Sequence, residues 1–358
     1  MEAYVNARLL GQEAAVGEFC GAVERAERGP RRVGRLKGFV LLLGPTGTGK
    51  TEMVKLAAQF LYGAAGAAVR LRRFDMGEYQ HRDSVLRLLG GPGQPALLGA
   101  AIDALNAQGG GILLLDEIEK AHPDLLTVLL SFDEARSTMA DGTTKDLSSC
   151  YVVMTSNLGA AEAALMGNNG YSAIRRKVIR EAELTLRKET VARFSSVIVM
   201  NTLSYEVQEL ITERLLAREL LLQSEHCQRW IEAGDSSVVS FLVGKGFSPD
   251  LGARNIRRTI EKYVGDALAP FAQLDCGGGG VAELVGDRWS RGLVLKVEQE
   301  ELVVWPLRRS IALQSLLARV CQQDGPGEEP GCVVAVNEMD DRAGQDAEGV
   351  TVPGTDGG

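Results

Sequence analysis

Short apolar runs alternate with longer amphipathic stretches from Phe39 to about Met200. Most of these runs are short and apolar throughout, which is typical of strands covered on both faces of a sheet. The stretches between them have helical spacing, as does Arg8–Ala26, whose apolar side chains would pack on the sheet. Strands that alternate with helices predict a doubly wound α/β domain with a parallel sheet, here over residues 1–203. The predicted strands are 39–43, 70–74, 112–115, 151–155 and 197–200.

The pattern changes at Ser204, which can cap an apolar-periodic helix that continues to about Leu222. Two further helical patterns follow, at 238–243 and 256–268. Alternating residues at 293–297 and 302–307 then predict a β-hairpin. Residues 204–307 are therefore expected to form a small helical lid domain that ends in a hairpin.

The last segment, 308–358, differs from both domains in composition. A short amphipathic helix is predicted at 310–320. Beyond it, residues 324–358 contain nine acidic residues and one basic residue, a balance of −8 that equals the net charge of the whole chain. Such a glycine-rich acidic segment is typical of a disordered, solvated tail, and a regulatory or partner-binding role is the alternative.

Composition places the chain among soluble cytoplasmic proteins. Hydrophobic residues make up 45%, no stretch of 18 apolar residues occurs, and the N-terminus lacks a basic region followed by an apolar core. The six cysteines form no C-x-x-C pair, which favours reduced thiols. Five of the residues in 27–37 are Arg or Lys, but without interleaved aromatics this loop is interpreted as a solvated rim and not as a nucleic-acid site.

The first chemical motif follows the strand at 39–43. The glycine-rich turn and the two residues after it match G-x-x-x-x-G-K-[ST], with a strand before and a helix after. Backbone N–H groups of such a loop and the positive end of the helix bind phosphates. Lys50 is expected to reach the β- and γ-phosphates of ATP, and the Thr51 hydroxyl to ligate Mg²⁺. The residues of this loop are Gly44, Pro45, Thr46, Gly47, Thr48, Gly49, Lys50 and Thr51.

Two carboxylates follow the apolar run at 112–115. Alone, this segment is as well explained by a strand that meets solvent. After a phosphate loop, Asp116 is expected to hold Mg²⁺ through a bound water, and Glu117 to activate the attacking water as general base. Asn157, at the end of another apolar strand, could bind the γ-phosphate or that water; without the other motifs it would be a turn former.

These motifs together resemble the Clp unfoldases and disaggregases of the AAA+ class, and in particular the second ATPase module of the two-ring members. The resemblance covers about Ala7 to Leu307. The matching segments are LLGQEAAV (9–16), LLLGPTGTGKTE (41–52), FDMGEYQHRDSVLRLLG (74–90), LLLDEIEKAHPDLLTVLL (113–130) and VVMTSNLG (152–159).

The resemblance implies further roles. Arg193 matches the arginine that enters the nucleotide site of the neighbouring subunit, and Arg254 matches the arginine of the small domain that senses the γ-phosphate. Leu10, Gly11 and Gln12 match the segment that packs around adenine. An arginine supplied in trans requires assembly, so the resemblance implies a homo-oligomer, by default a hexamer.

Two departures from the family pattern bear on substrate handling. The family's Gly-aromatic-Val-Gly pore loop is replaced by GGPGQPALLGAAIDAL (90–105), where Leu97 and Leu98 are the bulky candidates for a grip or else begin the next helix. The second family loop is better kept, in FDEARSTMADGTTKDL (132–147). Between 159 and 193 no Ile/Leu-Gly-Phe/Leu tripeptide of the peptidase-docking kind occurs.

The sequence therefore favours an ATP-hydrolysing Clp-like protein that remodels protein substrates as a ring. An ATP-switched assembly or scaffold ATPase that threads no polypeptide is the alternative, supported by the missing pore aromatic. A nucleic-acid-remodelling ATPase rests on the basic loop alone.

Overall fold

In the computed structural model of the protein, the chain forms two compact units. The first comprises Met1–Leu203 together with Leu251 and Gly252, and the second begins at Ser204. The predicted helix at 310–320 and the acidic tail lie outside the described residues. The residues described are 1–30, 34–91, 95–166, 169–227, 229–248, 251–272 and 292–306.

A five-stranded parallel sheet forms the centre of the first unit, with the strand order β2-β3-β6-β1-β7. The five predicted strands are the five strands of this sheet, which confirms the α/β prediction. A separate antiparallel pair, β4 and β5, lies within the segment 132–147. The strands are β1 (Gly38–Leu43), β2 (Leu71–Asp75), β3 (Ile112–Asp116), β4 (Arg136–Thr138), β5 (Thr144–Asp146), β6 (Tyr151–Ser156) and β7 (Ser196–Val199).

Helices cover both faces of this sheet. Side chains of β1 alternate between two cores, with Leu41 and Leu43 in one and Val40 and Leu42 in the other. This explains why the strand is apolar throughout. The helices are α1 (Glu2–Asn6), α2 (Glu13–Arg28), α3 (Lys50–Arg70), α4 (Arg82–Leu89), α5 (Leu97–Ala107), α6 (Pro123–Leu130), α7 (Ala160–Leu165), α8 (Tyr171–Leu186) and α9 (Lys188–Val191).

The helix predicted from Arg8 is α2, and it begins later than predicted, at Glu13. Gly11 has φ 72°, in the left-handed region, so a right-handed helix cannot continue through it. The predicted apolar stripe of α2 is nevertheless buried against the sheet; its members are Val16, Phe19, Cys20 and Val23.

The start of α5 decides between the two interpretations of the leucine pair. The helix begins at Leu97, whose side chain is 43% exposed, whereas Leu98 is 0% exposed in the core. Leu98 therefore packs inside the domain and is not available to grip a substrate.

The second unit combines helices with a three-stranded sheet. Its helices are α10 (Tyr205–Cys227), α11 (Ser236–Gly246) and α12 (Ala253–Ala272). The predicted hairpin is present as β9 (Leu293–Glu298) and β10 (Glu301–Pro306), and β8 (Ile231–Ala233), which the sequence did not predict, adds a parallel third strand beside β9. None of the helices in the described part of the chain has the length and apolar character needed to span a membrane.

Candidate nucleotide site

The glycine-rich loop connects β1 to α3, as the motif predicts. Gly44 and Gly49 have φ of 130° and 101°, values that favour glycine. A Cβ at Gly44 would lie 2.6 Å from the carbonyl oxygen of Met200, and one at Gly49 would lie 2.4 Å from a methyl of Leu9. Close approach of the backbone to its neighbours therefore requires glycine at both positions.

Lys50 is the first residue of α3 and is buried, with 7% of its surface exposed. Its ammonium donates to the carbonyls of Gly44 at 2.6 Å and Pro45 at 2.8 Å, and to Asn157 Oδ1 at 2.9 Å. The cation is thus held inside the loop at a helix N-terminus, where backbone dipoles also favour anions.

Asp116 is held from three elements at the carboxyl edge of the sheet. The hydroxyl of Thr51, on α3, donates to Oδ2 at 2.9 Å. Arg73, on β2, donates to Oδ2 with two nitrogens, at 3.0 and 2.8 Å. Thr155, on β6, donates to Oδ1. The carboxylate is nearly inaccessible to solvent and its orientation is fixed by these bonds.

Glu117 lies directly beyond the strand in a left-handed conformation, with φ 58° and ψ 55°. Its backbone N–H donates to the Thr155 hydroxyl at 3.0 Å, which stabilises this unusual backbone. The Glu117 carboxylate forms an ion pair with Lys120, and this hydrogen bond raises the pKa of Lys120.

Asn157 joins the loop to the strand ends. Its Oδ1 accepts from Lys50 and, at 3.2 Å, from the Thr46 hydroxyl. Its Nδ2 and its backbone N–H both donate to Glu119 Oε1, at 3.1 and 3.2 Å. The predicted residues therefore form two hydrogen-bonded pairs, Lys50 with Asn157 and Thr51 with Asp116. Lys50 and Thr51 are consecutive residues at the start of α3, and Glu117 follows Asp116 directly.

The segment Leu10–Gln12 lies beside the loop, because Leu9 packs on Gly49. The buried Gln12 side chain exchanges two hydrogen bonds with the backbone of Asn201, each 2.9 Å long. Both ends of its amide therefore bond the chain just after β7. A role of the segment at adenine stays a prediction.

Of the two predicted arginines, one belongs to each unit. Arg193 is 48% exposed and is held by the Leu130 carbonyl at 3.2 Å and by Asp133 at 3.7 Å. Arg254 is an exposed residue in the first turn of α12, in the second unit. Their roles remain predictions.

The donor set fits the phosphates of ATP and Mg²⁺. Mg²⁺ prefers oxygen ligands and is usually held by one or two carboxylates together with substrate phosphates. Thr51 and Asp116 provide a hydroxyl and a carboxylate in contact with one another, at the N-terminus of the helix that carries Lys50.

Sequence reasoning missed four contributors to the site: Arg73, Glu119, Lys120 and Thr155. Thr155 and Arg73 lie near the carboxyl ends of the strands that flank β3. Their position at these strand ends is a signal that could have suggested them. Glu119 and Lys120 belong to the same short turn as Glu117, within the quoted family segment.

Family models match both units. A model described as the AAA domain of the Cdc48 subfamily matches residues 35–197, and one described as the C-terminal D2-small domain of ClpB protein matches residues 230–272.

Individual relatives match over most of the chain. It is 34% identical over 278 residues to "Chaperone protein ClpB 1" of Nostoc sp., covering 75% of this chain and 31% of that protein. It is 37% identical over 268 residues to "Chaperone protein ClpB" of Rhizobium meliloti, covering 73% of this chain and 30% of that protein. A cryo-EM structure of Hsp104 in its closed state, with ATPγS and FITC casein, is similar with a TM-score of 0.68 at 28% identity, over 86% of this chain and 51% of the Hsp104 chain. The chain thus spans about a third of the length of these ClpB proteins and half that of Hsp104.

Proposed function

We propose, since the chain belongs to the Clp-type AAA+ ATPase family, that it hydrolyses ATP with Mg²⁺ and uses the energy to remodel protein substrates as a cytoplasmic ring. The observation that carries the proposal is the two side-chain contacts at the phosphate loop, Lys50 with Asn157 and Thr51 with Asp116, with Glu117 next to Asp116. A phosphate-binding cation, a metal carboxylate and a second carboxylate at one sheet edge are the parts that ATP hydrolysis requires.

Each residue has a distinct part in the proposed reaction. Lys50 and the loop N–H groups bind the β- and γ-phosphates, and Thr51 and Asp116 would hold Mg²⁺, which when bound neutralises phosphate charge. Glu117 accepts a proton from water as the water oxygen bonds to the γ-phosphorus and the bond to the ADP oxygen breaks. Asn157 orients the γ-phosphate or the water.

Protein remodelling is proposed by similarity. The relatives are named chaperones, and the Hsp104 structure contains casein. In a ring, Arg193 would stabilise charge in the neighbouring site, and Arg254 would sense the γ-phosphate from its own subunit. The alternative, an ATP-switched assembly or scaffold ATPase that threads no polypeptide, is not favoured by these relatives.

The test measures ATP turnover of the purified chain with and without unfolded casein, and follows a fluorescently labelled casein for ATP-dependent change. We expect casein to stimulate turnover and to be altered only when ATP is hydrolysed. A Glu117→Gln variant is the matched control for casein binding without turnover. Stimulation by single-stranded DNA and not by casein would overturn the protein-remodelling proposal.

A further inference from the structure

We propose that Glu119 is a positioning residue that fixes the orientation of the Asn157 amide at the γ-phosphate end of the site. The inference rests on the proposed ATPase function and extends it to a residue outside the predicted motif roles. It is carried by four hydrogen bonds of one residue, Asn157: three from its side chain and one from its backbone.

The Asn157 amide lies between groups of opposite character. Its oxygen accepts from the Lys50 ammonium at 2.9 Å and from the Thr46 hydroxyl at 3.2 Å. Its nitrogen donates to Glu119 Oε1 at 3.1 Å. An ammonium can only donate and a carboxylate can only accept, so the network admits one orientation of the amide. A half-turn of the amide would place NH₂ against the ammonium and oxygen against the carboxylate.

Glu119 also fixes the backbone that carries the amide. The same Oε1 atom accepts from the Asn157 N–H at 3.2 Å. Two donors of one residue thus converge on one carboxylate oxygen, which sets both the position of the chain after β6 and the direction of its side chain. An amide nitrogen carries two N–H groups, so one remains for a phosphate oxygen or the attacking water.

The two carboxylates of the turn after β3 have different partners. Glu117 pairs with Lys120, whereas the hydrogen bonds of Glu119 within the described residues all go to Asn157. Its second oxygen, Oε2, is buried without a partner among those residues. The hydrogen bonds that hold the Glu119 side chain among the described residues are therefore the two that Oε1 accepts from Asn157.

A double-mutant cycle tests this inference. Glu119→Ala should lower kcat for ATP hydrolysis by about tenfold or more, because small misplacement of a catalytic group is costly. ATP affinity should change by less than about threefold, since the loop that binds the phosphates is untouched. Added to Asn157→Ala, the same change should cost nothing further, because Glu119 acts through the group already removed. Glu119→Gln keeps an acceptor oxygen and should retain more activity than Glu119→Ala.

Glu24→Ala is the matched control, because Glu24 is an exposed carboxylate on α2, outside the loops and strand ends that form the site. It should leave kcat unchanged. If Glu119→Ala lowers the unfolding midpoint, the cycle is run with Glu119→Gln, whose loss should likewise vanish beside Asn157→Ala. Losses that multiply in the double variant, or a wild-type kcat for Glu119→Ala, would overturn the positioning role. Absence of turnover in the unmodified protein would instead count against the proposed function itself.

Discussion

One hydroxyl bonds both acidic residues at the end of β3, the carboxylate of Asp116 and the backbone of Glu117. Thr155 donates to Asp116 and accepts from the backbone N–H of Glu117, so it fixes the proposed metal ligand and the proposed base together. The hydroxyl lies in the interior, on the neighbouring strand β6. At the scale of single residues, the geometry of the site therefore depends on a side chain with no direct part in the chemistry.

Thr155→Val should lower ATP turnover and also destabilise the first unit. Valine has nearly the same shape but removes a hydrogen bond from the buried Asp116 carboxylate and the partner of the Glu117 N–H, which costs about 1–3 kcal/mol in the free energy of unfolding. Denaturant unfolding and steady-state hydrolysis measure the two effects. Thr155→Ser keeps the hydroxyl and should retain most of the turnover; equal turnover in the valine and unmodified proteins would show that the hydroxyl is not needed.

The sequence predicts the residues whose neighbours along the chain define them. Lys50 and Thr51 follow from the loop motif, and Asp116 from its place after a buried strand. The pairing of Arg73 with Asp116 depends on β2 lying beside β3, and that of Glu119 with Asn157 on β3 lying beside β6. Strand order is a property of the folded sheet, so local patterns could not show these contacts.

At the scale of elements, short runs between helical stretches predicted the five strands of the parallel sheet; four of these runs are apolar, whereas β2 contains Arg72 and Arg73. The strand β8 was missed because three residues carry too little alternation to be recognised, and its pairing with β9 joins distant parts of the chain. Helix ends depended on single residues, such as Gly11 before α2. The start of α5 is the boundary that affects function most.

The first turn of α5 provides a matched pair of leucines. Leu98→Ala should destabilise the first unit by about 2–5 kcal/mol, because it removes a fully buried side chain from the core. Leu97→Ala should change stability by less than about 0.5 kcal/mol, as expected at an exposed position. Denaturant unfolding of both variants tests the prediction.

The same pair tests substrate handling. If the leucines provide no grip, Leu97→Ala should leave casein-stimulated turnover close to that of the unmodified protein. A stable Leu97→Ala variant that hydrolyses ATP normally but has lost stimulation would show that Leu97 contacts the substrate.

At the scale of the whole molecule, the proposal requires assembly. Arg193 contacts Leu130 and Asp133. In the phosphate loop of the same chain, Lys50 is bonded instead to Asn157. If Arg193 acts in a neighbouring subunit, turnover per subunit should rise with protein concentration.

Mixing two inactive variants tests the trans role directly. Arg193→Ala retains its own Glu117, and Glu117→Gln retains its own Arg193. Subunits of the two kinds should together regain part of the turnover, at interfaces that combine an intact base with an intact arginine. A mixture no more active than its components, or full activity of a dilute monomer, would exclude an arginine acting in trans.

The central claim is that the cluster around the phosphate loop hydrolyses ATP and does not merely bind it. The most direct measurement is γ-phosphate release by the unmodified protein and by Glu117→Gln, at nucleotide concentrations that saturate both. The account predicts that Glu117→Gln binds ATP normally but loses about a hundredfold or more in turnover, because a positioned base is removed. Lys50→Ala should instead lose nucleotide binding. Near-normal phosphate release by Glu117→Gln would contradict the account.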